Sequence, residues 1–368
     1  MASGNPFGLD DASEGQEEFE EVKLKEKGEN RETIVTVNSV MVARNSDTEN
    51  SQDTEDQEDW DLIDEVALEA GQFGFRPPDY LNDPFKNKWR DTVEAYAAKS
   101  TFSNKRTYTL KPMIVKANDD CRQELMAMQL IKRLQQIFKK ANSRLYFRSY
   151  EILITSSNSG MIEFLPDTLS VSALKKKMLS EAAQPELANL RTFYEWYFRD
   201  KFEEAQLNFI RSLAAYSLFT YVFAIKDRHN GNIMIDRKGH LIHIDYGFML
   251  QNSPGGMNFE GAPFKLTQEY IELMNGTESD LFEFFMSLLT AGLIEIRRNL
   301  EDLTRFITIM MKNSVMPCFK TPETVAAEIE ARLKCTGASK KKNEMAELAN
   351  KLVKASMNSF YTNQYDNF

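Results

Sequence analysis

Residues able to do chemistry concentrate between Lys226 and Gly247, in the run KDRHNGNIMIDRKGHLIHIDYG. Asn232 and Asp245, thirteen residues apart, offer a carboxamide and a carboxylate. With phosphate oxygens these are the hard ligands that Mg²⁺ prefers, Mn²⁺ being the alternative ion. Asp227 and His229 are candidate proton acceptors, and residue type alone does not choose between them. Phosphoryl transfer asks for these parts: a triphosphate held in line, a divalent cation against the developing charge, and a group to receive a proton. Singly, each residue has an ordinary use: Asp227 in a turn, His229 on the surface, Asn232 as a loop cap, Asp245 at a strand end. Jointly, D-R-H-x-x-N followed by Asp-Tyr-Gly is hard to explain that way. A zinc site from His229, His240 and His243 is rejected, because the last two stand three apart on a strand with no cysteine nearby.

These side chains meet only if the chain between them folds back. Ile233 to Asp236 and His240 to Ile244 read as two short strands around a Lys238-Gly239 turn, which returns both ends of the segment to one cleft. Before them, Phe202 to Ile225 repeats apolar residues at helical spacing through Leu207, Ile210, Ala214, Leu218 and Tyr221. The apolar run Phe209 to Ile225 is interrupted by Arg211 and reads as a buried core helix rather than a membrane span. Upstream, Arg106 to Lys116 reads as strand with turns, Asp119 to Lys140 as helix, and Tyr150 to Thr155 as strand. After Thr267 the chain reads as helices. The expected fold is α+β, with strands and one helix first and a mainly helical half second.

The 368 residues include 42% hydrophobic and 11% aromatic side chains, enough for a two-part core. Three scattered cysteines, Cys121, Cys318 and Cys335, suit a reduced compartment better than a disulfide framework. The N-terminal residues lack the basic and apolar regions of a signal peptide. Residues 1–70 hold 21 Asp/Glu against 5 Lys/Arg, while the remainder holds 34 against 40, so an acidic tail precedes a mildly basic body. Residues 1–75 are expected as a disordered tail, with one strand-like stretch, ETIVTV from Glu32, and a short amphipathic helix over Trp60–Ala70. Arg76-Pro77-Pro78 then reads as an extended connector.

Asp227-Arg228-His229-Asn230-Gly231-Asn232 with Asp245-Tyr246-Gly247 resembles the phosphatidylinositol 3-/4-kinase superfamily, which orders this loop Asp-Arg-His where protein kinases order it His-Arg-Asp. The family usually has Phe at the position of Tyr246. The preceding helix and Ser253-Pro254-Gly-Gly are similar to the type III phosphatidylinositol 4-kinases, from about Phe85 to Phe368; DDCRQ and SPGG look like the alpha form, SGMIE and NFEGAPFKLT like the beta form, and the lean is to beta. The resemblance implies a two-lobed kinase-like fold, with an N-lobe over 76–163 and a C-lobe over 164–368. Lys116 is then the lysine on the ATP phosphates, with Glu124 on the helix behind it. Tyr150 matches an inner-pocket tyrosine, and Glu163, Phe164 and Leu165 the adenine-binding hinge. Ser100-Thr101-Phe102-Ser103 would cover the nucleotide without the glycines that protein kinases use there.

ATP and Mg²⁺ follow as cofactors and membrane phosphatidylinositol as substrate. No nucleic-acid partner is expected, recruiting proteins are unknown, and the catalytic domain is expected to be monomeric. The implied location is cytoplasmic and peripheral on membranes, Golgi or plasma membrane. The activation segment, Asp245 to Thr267, carries Lys265 as its basic residue, which argues for a headgroup without extra phosphates. Lys175–Lys177 and Lys340–Lys342 read as solvated loops.

Overall fold

Strand β1 (Val35–Thr36), β2 (Met113–Ala117), β3 (Ile152–Ser156) and β4 (Ser159–Glu163) form one antiparallel sheet in the order β1-β2-β4-β3. The computed structural model describes residues 35–36, 83–85, 88–181, 188–254, 261–334 and 344–357. Residues 35–36 fall within the tail's expected strand, whereas the Trp60–Ala70 helix, the Pro77-Pro78 connector, Lys340–Lys342 and Cys335 lie outside the described residues. The strand expected from Arg106 begins only at Met113. Pro112, with no N–H to continue a ladder, instead accepts the Phe164 N–H at 2.9 Å.

Helix α1 (Trp89–Ala97) precedes this sheet's second strand, and α2 (Arg122–Lys140) follows it. The buried face of α2 runs through Met126, Leu130, Ile131, Leu134 and Phe138, a 3.6-residue period. It starts later than expected because Asp120 stays outside it, accepting the Arg122 backbone N–H at 3.1 Å and its guanidinium at 2.8 and 2.6 Å.

A second sheet, β5 (Thr168–Ser170), β6 (Ile233–Asp236) and β7 (Leu241–His243), is antiparallel in that order. Around it lie α3 (Val171–Glu181), α4 (Leu190–Phe198) and α5 (Phe202–Val222). Lys175–Lys177 is part of α3 rather than a loop: Lys175 pairs with Glu269 at 2.9 Å and Lys177 donates to the Pro84 carbonyl at 2.7 Å. Helix α5 is buried on nearly every side, as a core helix should be, which explains its run of apolar residues without a bilayer. Among the described residues no helix is long and apolar enough to cross a membrane.

The described residues end in α6 (Gln268–Leu273), α7 (Asp280–Arg298), α8 (Leu300–Met311), α9 (Pro322–Arg332) and α10 (Glu344–Met357). On α10, Leu352 is buried and Met357 exposed, while Phe360 and Tyr361 lie outside the described residues. A small sheet with one long helix, followed by a helical half around a hairpin, is the α+β kinase-like arrangement that the sequence predicts.

Helix α5 and its neighbours hold the β6–β7 hairpin from behind. Ser212 accepts the Leu241 N–H at 2.8 Å, Asn208 donates to the Lys238 carbonyl at 3.0 Å, and Tyr194 to the Gly239 carbonyl at 2.8 Å. Gly239 takes φ +83°, a turn conformation that a Cβ would oppose. The hairpin is thereby a rigid mount for the loops at its two ends.

Candidate functional site

The loop entering the hairpin and the segment leaving it are tied together by one side chain. Arg228, buried, donates to the carbonyls of Lys226 at 2.9 Å and Ile244 at 2.8 Å, and also to that of Asp245. Its guanidinium lies 5.4 Å from the Tyr246 ring centroid. The strand register sets Ile233 opposite His243, and the Ile244 N–H reaches the Asn232 carbonyl at 3.1 Å. Loop and segment are therefore side by side at the end of the sheet, and Asp227, Asn232 and Asp245 are anchored to the same junction.

Both acids sit on left-handed backbone, Asp227 at φ +63° and Asp245 at φ +59°. Aspartate and asparagine tolerate that region better than most residues. Asp245 is exposed, and one of its oxygens accepts the Gly247 N–H at 3.1 Å. Asn232 is buried, with its amide nitrogen committed to the Asp227 carbonyl at 3.0 Å, so the carboxamide oxygen is the end left for a ligand.

His229 Nδ1 accepts the Gly231 N–H at 3.0 Å, and its Nε2 is 3.9 Å from Asp227 Oδ2. Gly231 is required by this approach, since a Cβ there would stand 2.8 to 2.9 Å from the imidazole ring. The other two histidines are structural. His240 bonds Asp236 at 2.9 Å and stacks on Tyr146, and buried His243 stacks on Tyr216. Burial, then the charges of Arg228 and Lys265, hold the His243 pKa well below the ordinary value and keep it neutral.

On the first sheet, Lys116 near the end of β2 faces Asp119 at 3.8 Å. Glu124 on α2 accepts the Tyr150 hydroxyl at 2.5 Å. Burial pushes the Glu124 carboxyl up; Tyr150's hydrogen bond opposes this, Asp245 adds to it and Lys116 opposes it. One carboxyl on α2 thus feels both Lys116 and Asp245. At the end of β4, the Glu163 N–H is committed to Glu151 at 2.8 Å and the Leu165 carbonyl to Thr168 at 2.8 Å. A purine edge would have to meet the Glu163 carbonyl and the Leu165 N–H. Phe164 is exposed beside them. Ser100, Thr101, Phe102 and Ser103 form turns held by the Ser100 hydroxyl and carbonyl, with Phe102 exposed.

Two features escape the sequence reading. Gln123, buried on α2, donates to the carbonyls of Tyr246 at 2.9 Å and Gly247 at 2.7 Å, bridging 123 residues to grip the backbone next to Asp245. Lys265 is not a solvent-facing cation: it is buried, with its ammonium on Asn230 at 2.9 Å. The hydroxyl that distinguishes Tyr246 from Phe donates to the His243 carbonyl at 3.0 Å, so the ring packs fully buried without an orphaned polar group. Ser253 is buried and Pro254 half-buried, and residues 255–260 lie outside the described set.

Removing the Gln123 grip should be felt in stability. Gln123→Leu leaves the Tyr246 carbonyl without its donor and the Gly247 carbonyl with the Asn252 amide at 3.0 Å, and we expect a loss of roughly 1–2 kcal/mol in denaturant unfolding. A change below about 0.5 kcal/mol would mean the amide is dispensable.

The chain matches the family described as phosphatidylinositol 3- and 4-kinase over residues 111–320. It is 42% identical over 291 residues to a phosphatidylinositol 4-kinase of Dictyostelium discoideum, covering 78% of this chain and 24% of that protein. It is 40% identical over 274 residues to phosphatidylinositol 4-kinase beta 2 of Arabidopsis thaliana, covering 73% and 24%. To phosphatidylinositol 4-kinase beta of Danio rerio it is 34% identical over 310 residues, covering 83% and 36%. The chain spans about a quarter to a third of the length of these curated relatives.

Proposed function

The chain belongs to the phosphatidylinositol 3- and 4-kinase family, and on that premise we propose that it transfers the γ-phosphate of ATP to the 4-hydroxyl of phosphatidylinositol, giving phosphatidylinositol 4-phosphate. The observation that carries this reading is the junction at Arg228 and Asn232, which anchors a carboxamide, an exposed carboxylate and a second acid to one place. The names of the relatives support the 4-position and lean to the beta form.

Asn232 through its oxygen and Asp245 through its carboxylate would hold Mg²⁺ or Mn²⁺, and the all-oxygen donor set fits a hard divalent ion. When bound, the ion would neutralise charge on the transferring phosphoryl group. Lys116 would add a point charge on the phosphates, and the hinge at Glu163 to Leu165 would seat the adenine under the turns at Ser100 to Ser103.

Between the two candidate bases, the hydrogen bonds favour Asp227. With Nδ1 accepting from Gly231, a neutral His229 carries its proton on Nε2 and has no lone pair left for a hydroxyl. The Asp227 carboxylate, 3.9 Å from His229 Nε2, is then the acceptor-type group of the pair, and His229 would serve as a donor to developing negative charge beside it.

The headgroup reading also rests on Lys265. Its burial on Asn230 removes the one basic side chain between Gly247 and Thr267 from contact with a substrate phosphate, which suits plain phosphatidylinositol. Cytoplasmic residence with peripheral attachment to Golgi or plasma membrane, action as a monomeric catalytic unit, and an acidic N-terminal tail whose Val35–Thr36 strand pairs with β2 complete the proposal.

The test is to incubate the purified chain with labelled ATP, Mg²⁺ and phosphatidylinositol vesicles, then deacylate and identify the product by ion exchange. The 4-phosphate is expected. A 3-phosphate, or label transferred to protein substrates in preference to lipid, would refute it.

A further inference from the structure

Ile309 and Val315 are 68% and 78% exposed, the two largest exposures of the large apolar side chains among the described residues. Ile309 lies in the last turn of α8, and Val315 in the connection to α9. Nearby Ile307, Met316, Cys318 and Phe319 are buried and supply the packing, so the fold does not use these two. Lys312 and Lys320, both exposed, flank Val315, and the nearest exposed acid beyond them is Glu323 in the first turn of α9. The tip is folded back tightly: the Ser314 N–H reaches the Met311 carbonyl at 2.9 Å, and Asn313 takes φ +59°.

This tip is fastened to the activation segment. The Gln251 N–H donates to the Cys318 carbonyl at 3.4 Å. Its side chain brackets Thr321, giving to the carbonyl at 3.2 Å and accepting the N–H at 2.7 Å. Val315 is three residues from Cys318, hence at most roughly 11 Å of chain from that contact. Along the same stretch opens a cavity of about 470 Å³, lined by Lys226, Gln251, Lys320, Glu328 and Arg332 among others. Three cations against one carboxylate give it a positive balance, and Lys226 is the residue before Asp227.

We propose that the α8–α9 tip is a bilayer-contacting element: Ile309 and Val315 enter the interface of an anionic membrane, and Lys312 and Lys320 lie against lipid phosphates. The pattern is that of interfacial anchoring, aliphatic side chains to bury and cations beside them for the anionic surface. Charge and continuity with the activation segment favour a bilayer over a protein partner. The fastening through Gln251 then sets the activation segment at the membrane as the tip enters. This inference rests on the reading that the substrate is a membrane lipid.

The test uses the full chain carrying Ile309→Asp or Val315→Asp. Binding to vesicles of phosphatidylcholine, phosphatidylserine and phosphatidylinositol is measured by co-sedimentation, and turnover is measured on those vesicles and on dispersed short-chain phosphatidylinositol. Vesicle binding and vesicle turnover should each fall by roughly an order of magnitude, the scale of withdrawing one aliphatic side chain and setting a like charge opposite an anionic surface. Turnover on the dispersed lipid should stay within about two-fold of the parent. Parental vesicle binding by both variants would overturn the proposal, and so would an equal loss on both substrates, or a change in self-association without a change in vesicle binding. If the parent phosphorylates neither form of lipid, the kinase reading fails, while co-sedimentation still decides the tip.

Discussion

Asp245→Asn should lower lipid phosphorylation by about three orders of magnitude while the protein stays folded. The substitution removes the charge and little else. Asparagine is at ease at φ +59°, and its oxygen can still accept the Gly247 N–H. The side chain is exposed, so no buried group is uncovered. Arg228 holds Asp245 through the main-chain carbonyl, which is unchanged. One secondary effect is expected: Asp245 helps push the Glu124 carboxyl up, and neutralising it relieves that contribution. Turnover at saturating ATP and lipid, with thermal unfolding alongside, checks both halves. A variant retaining more than about a tenth of parental turnover would be incompatible with a metal-binding carboxylate.

The second large effect is on stability. Arg228→Leu leaves the carbonyls of Lys226, Ile244 and Asp245 without their shared donor inside the protein. Hydrogen bonds from a charged donor contribute more than neutral ones, and the part-buried acceptors left behind cost free energy of their own, so a loss of about 3–5 kcal/mol is expected. For a domain of this size that lowers the unfolding midpoint by roughly 10 °C. Arg228→Lys should recover little, because an ammonium cannot reach three carbonyls in the fixed fork of a guanidinium. A midpoint within about 2 °C of the parent for either variant would show that the loops are held by the hairpin alone.

Much of the fold is legible because it follows local periods. The apolar spacing of Phe202 onwards is the helix that carries the core, and Lys238-Gly239 is the turn between two strands, as read. Boundaries are less legible where a single polar contact decides them, as Asp120 does for α2 and Pro112 for β2. Within the site, the residue types of the metal and base candidates were readable from spacing. What each touches was not. The grip of Arg228 on three carbonyls and that of Gln123 across 123 residues depend on tertiary placement, which no local pattern encodes. Lys265 shows the same limit in reverse: its charge suggested solvent or substrate, and the fold gives it Asn230.

The Gln123 amide links α2 to the backbone beside Asp245. Because it holds two successive carbonyls next to Asp245, any swing of α2 pulls on that segment as well. On the proposed metal site, a small molecule wedged behind α2 would therefore register as weakened affinity for the divalent ion, though it touched neither Asn232 nor Asp245. Titrating Mg²⁺ in the presence of such a compound would read the transmission directly.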